Sequence, residues 1–143
     1  MLNRIIKLRK YSFLNPIIKL LLTILGVDIP KEVKIGKNVQ FPHNSYGTVI
    51  HPNTIILDNV KIYQNVTIGR ADIYSDFNDS KMKKIIINDG AIICAGAKIL
   101  SSQEELIIGK NSIIAANAVL LNSVGNNEVW AGIPAKKVGE VNT

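Results

Sequence analysis

The stretch that decides the fold is IILDNVKIYQNVTIG, at residues 55–69. Within it an isoleucine recurs every six residues, at Ile56, Ile62 and Ile68, and a valine stands four positions after each of the first two. A period of six fits neither one face of an α-helix nor a plain alternating strand, but it fits short strands separated by turns. The stretch therefore predicts a solenoid, in which each six-residue unit points one large and one small side chain inward.

The period continues through most of the chain after residue 33. The large aliphatic positions are Ile35, Ile50, Ile56, Ile62, Ile68, Ile87, Ile93, Ile99, Ile108, Ile114 and Leu120. The small or β-branched residues four positions later are Val39, Thr54, Val60, Val66, Ala91, Ala97, Ser112, Ala118 and Val124. Three units make one triangular coil, and stacked coils pair their strands about 4.8 Å apart. We predict an all-β parallel β-helix filled by isoleucine, which explains an aromatic content of only 6%, but the spacing does not define its hand.

Three insertions interrupt the period and indicate where a site lies. They fall between residues 35 and 50, 68 and 87, and 99 and 108. A regular prism has no pocket of its own, and loops that project from a rigid scaffold commonly carry function. The first insertion contains His43. The second, at residues 70–84, is polar and long enough to reach a neighbouring subunit.

The N-terminal segment, residues 1–27, differs in composition from the repeat. Its charged residues are Arg4, Lys7, Arg9, Lys10 and Lys19, with no acidic residue. Apolar residues lie between them, and Asn15-Pro16 has the form of a helix start that Gly26 would end. We predict a basic amphipathic helical segment, which either contacts an anionic membrane surface or packs on the main domain or between subunits. The two alternatives are compatible if one face of the helical segment packs on protein and the opposite face contacts lipid.

Length and composition limit the other possibilities. The chain has 143 residues, enough for one ordinary domain, and we divide it into the segment 1–27, a β-helix over 28–136 and a C-terminal tail over 137–143. A single cysteine, Cys94, excludes a disulfide framework and a cysteine zinc site, and two histidines exclude a three-histidine metal site within one chain.

Charge and hydropathy bear on partners and location. The net charge is +6, but the chain has no nucleic-acid motif and much of the excess lies in residues 1–27, so we do not expect it to bind nucleic acid. No stretch reaches 18 apolar residues, and no cleavage site follows the first apolar region. We expect a cytoplasmic protein, with peripheral contact at the inner face of the plasma membrane as the alternative that residues 1–26 raise.

Several motifs together are more specific than the period. They are VDI at 27–29, KIG at 34–36, FPH at 41–43, GTVI at 47–50, QNVTIG at 64–69, AGAKIL at 95–100 and AGIPAK at 131–136. With these the chain resembles the hexapeptide-repeat acyltransferases, in their serine acetyltransferase-like branch. The resemblance implies a left-handed parallel β-helix, assembly as a homotrimer, and acetyl-CoA as cosubstrate with no metal required.

The resemblance also implies a catalytic pair. His43 falls where the family keeps its catalytic histidine, and Asp28 lies 15 residues earlier, at the interval of the carboxylate that orients it. A neutral imidazole can take the proton of an alcohol as that alcohol attacks a thioester. A carboxylate on the other ring nitrogen fixes the tautomer and stabilises the imidazolium.

Further site residues follow from the same resemblance, which places acetyl-CoA in the groove between adjacent β-helices. The residues expected to bind it are Ala95, Gly96, Lys98, Ala115, Ala116, Gly132, Pro134, Ala135 and Lys136. The small ones would let the pantetheine arm approach the backbone, and the lysines would meet phosphates. Substrate-binding candidates are His51, Gly69 and Arg70.

Two departures from the family pattern bear on the acceptor. Pro42 stands where serine enzymes carry an acidic residue before the histidine, and Lys81-Met82 stands in place of an Arg-His pair. Loss of charge partners for free serine should reduce specificity for it strongly. The motifs FPH at 41–43, GTVIHPNT at 47–54 and VTIGR at 66–70 are similar to those of the small O-acetyltransferases that modify sugars of bacterial polysaccharides. On these grounds we predict transfer of acetyl to a sugar hydroxyl of a bacterial capsular polysaccharide, exopolysaccharide or lipopolysaccharide precursor. The alternatives are a serine O-acetyltransferase of cysteine biosynthesis and a non-catalytic trimeric scaffold.

Overall fold

The structure, a computed structural model, describes residues 1–142 and consists of two N-terminal helices followed by short strands. The helices are α1 (Leu2–Lys7) and α2 (Asn15–Ile24). The strands are β1 (Lys34–Ile35), β2 (Val49–Ile50), β3 (Thr54–Ile56), β4 (Lys61–Ile62), β5 (Thr67–Arg70), β6 (Lys84–Ile87), β7 (Ile92–Ile93), β8 (Lys98–Ser101), β9 (Glu105–Ile108), β10 (Ile113–Ile114), β11 (Val119–Leu120), β12 (Glu128–Gly132) and β13 (Ala135–Glu140). None of the helices in this part of the chain is long and apolar enough to cross a membrane.

The strands form three sheets, one for each side of a triangular coil. Their orders are β1-β3-β6-β9, β2-β5-β8-β11 and β4-β7-β10-β12-β13. Every pairing is parallel except that of β12 with β13, which form an antiparallel hairpin. Neighbouring strands of a sheet come from successive turns of the chain, so the predicted parallel β-helix is confirmed.

The core is the predicted stack of aliphatic side chains. Ten of the large positions, from Ile50 to Leu120, are at most 1% exposed, and Ile35, in the first strand, is half-buried. Register explains the burial: Ile50 pairs with Ile68, which pairs with Ile99, which pairs with Leu120. Since the same side chain type recurs in every coil, each isoleucine packs on its counterparts above and below.

Corners of the coil depend on asparagine and glycine. Six asparagines at corners have a positive φ of 55° to 60°: Asn38, Asn59, Asn65, Asn111, Asn117 and Asn127. Three glycines lie against such asparagines in the next coil: Gly47, Gly90 and Gly96. A Cβ on Gly47 would lie 2.2 Å from Oδ1 of Asn65, and one on Gly96 would lie 2.1 Å from Oδ1 of Asn117. Asparagine tolerates the left-handed region, and glycine leaves room for the stacked amide.

The two ends of the prism are covered. Helix α2 ends at Ile24, and Gly26 stops it two residues later with a φ of 63°. The Gly26 N–H donates to the Thr23 carbonyl, and the Val27 N–H donates to that of Leu22. The buried face of α2 carries Ile18 and Leu22, so the packing alternative for the N-terminal segment is correct.

Two expectations about the ends differ from the structure. Asn15 has helical dihedrals and makes no capping bond, because the chain already turns helically through Leu14. Residues 137–140, which we expected in a C-terminal tail, belong to β13, because Trp130 and Ala131 pair with Lys137 and Lys136 in the hairpin.

Candidate active site

His43 lies in a strained loop between β1 and β2. A short 3-10 turn covers Pro42–Ser45, and three consecutive residues in it have a positive φ: 53° at His43, 54° at Asn44 and 43° at Ser45. Such conformations cost about 1–3 kcal/mol each for residues other than glycine and persist only where the surroundings hold them. Ser45 is fully buried, and its hydroxyl donates to the Ile62 carbonyl at 2.6 Å, which fixes one end of the loop to the next coil.

Asp28 lies beside the strand that leaves this loop. Its N–H donates to the Thr48 carbonyl and its carbonyl accepts from the Ile50 N–H, both at 2.9 Å. The side chains of Asp28 and His43 are both exposed, and among residues 1–142 no hydrogen bond joins them. The fold therefore bonds the Asp28 backbone to the chain that follows the His43 loop, while the catalytic pairing itself stays a prediction. Catalytic hydrogen bonds are often made only in the complex with substrate.

The outer face of one sheet extends from Asp28 across the coils. The residues in register with Asp28 are Val49, Thr67, Lys98 and Val119. The Lys98 ammonium donates to the Asn65 carbonyl at 2.7 Å and to the Thr67 hydroxyl at 3.1 Å. Lys98 is thus held across the corner of the prism, with its charge close to the face that carries Asp28.

The residues expected to bind acetyl-CoA come from three distant stretches, and the structure brings them close together. The Asn117 N–H donates to the Ala95 carbonyl at 2.9 Å, so the turn that contains Ala116 stacks on the Ala95-Gly96 turn of the coil before. The Ala115 N–H donates to the Trp130 carbonyl at 2.8 Å, which joins these turns to the β12–β13 hairpin.

The hairpin carries the remaining expected acetyl-CoA contacts. Gly132, Pro134 and Lys136 are exposed around its tip, whereas Ala135 is buried. Trp130, behind the tip, donates from Nε1 to the Glu128 carboxylate at 2.9 Å and packs on the core. The Trp130 ring therefore covers the core at the last coil of the β-helix.

The long insertion folds back over His51. Phe77 stacks on the imidazole, with ring centroids 5.7 Å apart and planes inclined by 16°, and the Arg70 guanidinium lies 5.7 Å from the Phe77 ring centre. The Asn53 N–H donates to Nδ1 of His51 at 3.1 Å, which leaves Nε2 to carry the proton of the neutral ring. Burial, then the charge of Arg70, lowers the pKa of His51, although Asp72 opposes the shift.

Asp72 and Phe77 were not singled out from the sequence, and no local signal marks them. Asp72 is 4% exposed and accepts hydrogen bonds from the Ser80 hydroxyl at 2.9 and 3.2 Å. Burial alone would raise the pKa of Asp72, but the bonds from Ser80 and the Lys81 N–H, together with Arg70, hold it below its usual value.

The two other substrate-binding candidates differ in their surroundings. The Arg70 guanidinium donates to the Ser75 and Asp76 carbonyls at 3.2 and 3.3 Å, so it closes its own loop. Gly69 has open space on its outer side, since a Cβ there would meet only Leu100, at 4.0 Å.

A cavity of about 770 Å³ lies between α2 and the first coil. Apolar residues such as Ile18, Leu22 and Ile29 form much of its wall. Asp28 also lines the cavity, and His43 does not. The cavity therefore opens near the expected orienting carboxylate and away from the expected base.

Comparison with known proteins decides the family. No sequence profile of a known protein family matches the chain. The chain is 37% identical over 114 residues to a serine acetyltransferase of Haemophilus influenzae, covering 80% of this chain and 39% of that protein. The chain belongs to the hexapeptide-repeat acyltransferase superfamily, in its serine acetyltransferase-like branch.

Solved structures of the branch agree with the fold. A serine acetyltransferase from Brucella abortus strain S19 in complex with coenzyme A superposes with a TM-score of 0.73 at 32% identity, over 85% of this chain and 45% of that one. One from Neisseria gonorrhoeae in complex with serine gives 0.69 at 29% identity, over 82% and 44%. The expected left hand of the β-helix is confirmed. The chain spans about two-fifths of the length of the first curated relatives it matches.

The prediction of a carbohydrate acceptor in polysaccharide biosynthesis is wrong, because these relatives are serine acetyltransferases. That prediction rested on the absence of two charged partners for serine and on the resemblance of residues 41–43, 47–54 and 66–70 to small sugar O-acetyltransferases. No observed contact favoured a sugar. The structure also weakens its premise. Met82 is 2% exposed and packs in the core, so its side chain faces the prism and carries no information about a bound acceptor.

Proposed function

We propose that the chain is an acetyl-CoA-dependent acetyltransferase that transfers acetyl to the hydroxyl of serine. The observation that carries the proposal is the identity of 37% to a serine acetyltransferase over 114 residues. The 15-residue interval between Asp28 and His43 and the strained loop around His43 support it. A scaffold without catalysis has no need for such strain.

The proposed chemistry is direct transfer. The neutral His43 imidazole takes the proton of the serine hydroxyl as the oxygen attacks the thioester carbonyl. The carbon–sulfur bond then breaks, and the leaving thiolate of coenzyme A receives the proton from the imidazolium. Asp28 would orient the imidazole and stabilise its charged form. No covalent intermediate on the enzyme is needed, which fits a half-buried Cys94 whose pKa burial raises.

The cosubstrate site in this proposal is the groove along Ala95, Gly96, Ala115, Ala116 and the β12–β13 hairpin. Small side chains at these turns leave room for the pantetheine arm. Lys136, exposed at the hairpin, would meet phosphate charge. The coenzyme A complex of the Brucella relative supports acetyl-CoA as the donor.

Serine is the acceptor that the relatives favour. Lys81 keeps a cation where the family carries arginine, and its exposed side chain is suited to a carboxylate, although it lacks the two-pronged geometry of a guanidinium. Pro42 provides no partner for the serine ammonium. We therefore expect a higher KM for serine than an enzyme with both charged partners would have.

The test is release of coenzyme A by the purified full chain with serine, and identification of the product by mass spectrometry. Threonine, homoserine and a monosaccharide panel serve as comparison acceptors, and His43→Ala as the control for catalysis. We expect O-acetylserine from the wild type alone. Release with serine no faster than hydrolysis of acetyl-CoA, or faster release with another acceptor, would overturn the assignment.

We further propose a homotrimer, whose subunit grooves would complete the site. The tip of the long insertion supports this: Ile73 and Tyr74 are 79% and 89% exposed, which is unusual for large apolar side chains outside an interface. Light scattering after size-exclusion chromatography measures the assembly, and a monomer at micromolar concentration would contradict it.

We also propose that the protein lies in the cytoplasm and contacts the inner face of the plasma membrane through residues 1–26. Ile17, Leu20 and Ile24 form an exposed apolar strip along α2, opposite its buried face. The cations of the segment, with no acidic residue among them, match an anionic lipid surface. Binding to vesicles with and without anionic lipid tests this contact.

A further inference from the structure

Two hydrogen bonds join helix α1 to the loop that carries His43. The Leu2 N–H donates to Oδ1 of Asn44 at 3.0 Å, and the Phe41 N–H donates to Oδ1 of Asn3 at 3.0 Å. The loop residues in these bonds, Phe41 and Asn44, lie on either side of His43 in the chain. The helix therefore holds the loop from both sides of the expected base.

Helix α1 is itself firmly anchored. Leu2 is completely buried and Ile5 is 7% exposed, both within the same core as Phe41. The segment after the helix is fixed to the first coil by Arg9, whose guanidinium donates to the Pro30 carbonyl at 2.6 Å and to that of Val33 at 3.3 Å. A helix anchored in this way restricts the movement of the groups bonded to it.

The loop needs such support because of its backbone. His43, Asn44 and Ser45 all have a positive φ, and a run of three such residues without a glycine is uncommon, although asparagine and histidine adopt this conformation more readily than serine. Ser45 is bonded to the coil beneath it, but the part of the loop that contains His43 is exposed to solvent. The two bonds to α1 hold the loop on either side of His43, and the His43 ring itself lies with its centroid 6.3 Å from that of Tyr63.

We propose that α1 is a brace for catalysis, and that Asn3 and Asn44 are positioning residues that hold His43 in place for proton transfer. The inference rests on the proposed function in so far as it assigns His43 as the base. It adds a role for the N-terminal segment, which acts on the active site through Asn3 and the Leu2 N–H. Misplacement of a catalytic group by about 1 Å lowers rates by about 100-fold, so loss of either bond should lower kcat.

Two variants remove the bonds one at a time. Asn44→Gly removes the acceptor for Leu2 and keeps a residue that favours positive φ. Its matched control is Asn38→Gly, which removes an asparagine side chain from another left-handed turn, where it donates to Asn59. Asn3→Ala removes the acceptor for Phe41, and its control is Arg4→Ala, at an exposed position of the same helix.

Steady-state kinetics supply the first readout. We expect kcat to fall by about 10-fold to 100-fold in Asn44→Gly and Asn3→Ala, with KM for acetyl-CoA unchanged. The two controls should keep the wild-type kcat. Asn44→Asp, which retains an acceptor oxygen, should recover most of the loss.

Amide hydrogen exchange and NMR of labelled histidine supply readouts that do not depend on activity. The Phe41 amide should lose protection in Asn3→Ala, and the Leu2 amide in Asn44→Gly. The His43 ring signals should shift in both variants, whereas those of His51 should stay. Failure of the wild type to acetylate serine would reject the proposed function, while these measurements would still decide on the brace.

The brace is rejected if exchange protection, His43 signals and kcat all match the controls. It is also rejected if kcat falls equally in Asn38→Gly or Arg4→Ala, since the effect would then be one of general stability. If Asn44→Gly does not fold, Asn3→Ala decides alone, because its side chain is exposed and its change leaves the loop sequence intact.

Discussion

The imidazole of His51 stacks on the ring of Phe77, 26 residues later in the chain, with centroids 5.7 Å apart. This contact fastens the long insertion to the second sheet of the prism at the position where β2 ends. It also shields the imidazole from water, and burial is the main reason that the pKa of His51 is lowered. The stack thus connects the conformation of the insertion to the protonation of a histidine near the expected site.

Removal of the Phe77 ring should expose His51. In Phe77→Ala we expect the pKa of His51 to rise toward its ordinary value of 6.5, because the burial that disfavours the charged ring is reduced. NMR titration of the histidine ring protons measures the change. Ile73→Ala, at the exposed tip of the same insertion, is the control and should leave the titration unchanged. An unaltered His51 titration in Phe77→Ala would contradict this account.

The lowered pKa of His51 also predicts how stability depends on pH. The unfolded chain takes up a proton at this histidine near pH 6.5, while the folded chain does so only at lower pH. The contribution is therefore fully present above pH 6.5 and is lost as pH falls through the folded-state pKa. Urea unfolding of the wild type and of His51→Gln should show a smaller loss of unfolding free energy on acidification in the variant. Parallel pH curves for the two proteins would count against it.

Substitution of the expected base should abolish most catalysis and preserve the fold. We expect His43→Ala to lower kcat by about two to four orders of magnitude, since general base catalysis contributes about that much. Asp28→Asn should lower it less, because the carboxylate acts through the imidazole. Steady-state kinetics with matched thermal unfolding curves measure both. Full activity in His43→Ala would show that another group removes the proton.

The stacked core should be sensitive to truncation. Ile93 is fully buried and pairs with Ile62 and Ile114 in neighbouring coils. Ile93→Ala should lower the free energy of unfolding by about 2–5 kcal/mol, since a prism packed on three sides collapses poorly around a cavity. Ile107→Ala, at an outward position that is 36% exposed, should change it by much less. Urea denaturation distinguishes the two, and equal losses would argue against the stacked core.

Contact of α2 with an anionic membrane predicts selective vesicle binding. The full chain should sediment with phosphatidylcholine vesicles that contain phosphatidylserine, should not sediment with phosphatidylcholine alone, and should dissociate as salt is raised. Leu20→Glu should abolish binding, because Leu20 is on the exposed apolar strip. Val138→Glu, which changes an exposed aliphatic residue of β13, is the control and should bind as the wild type does. Equal binding by Leu20→Glu would exclude the strip as the contact.

Several features were predictable from the residues because they repeat or are local. Isoleucine every six residues predicts one inward side chain on each side of every coil. The structure pairs these positions between successive coils, Ile62 with Ile93 and Ile93 with Ile114. Gly26 was recognisable as a helix end because a left-handed residue after a helix favours glycine. The acceptor was predicted wrongly, because neither the missing charged partners at Pro42 and Met82 nor a few short shared motifs identify the ligand that binds.

The amino-acid sequence by itself determined the prism, its corners and its interruptions, since each of these depends on side chains at fixed short intervals. Only the tertiary structure decided which distant groups meet: Asn3 with Phe41, Asn44 with Leu2, and Phe77 with His51. Contacts of this kind depend on how an insertion or a terminal helix folds back over the coil. Many conformations of such a segment satisfy the same local preferences, and burial against the finished prism selects among them.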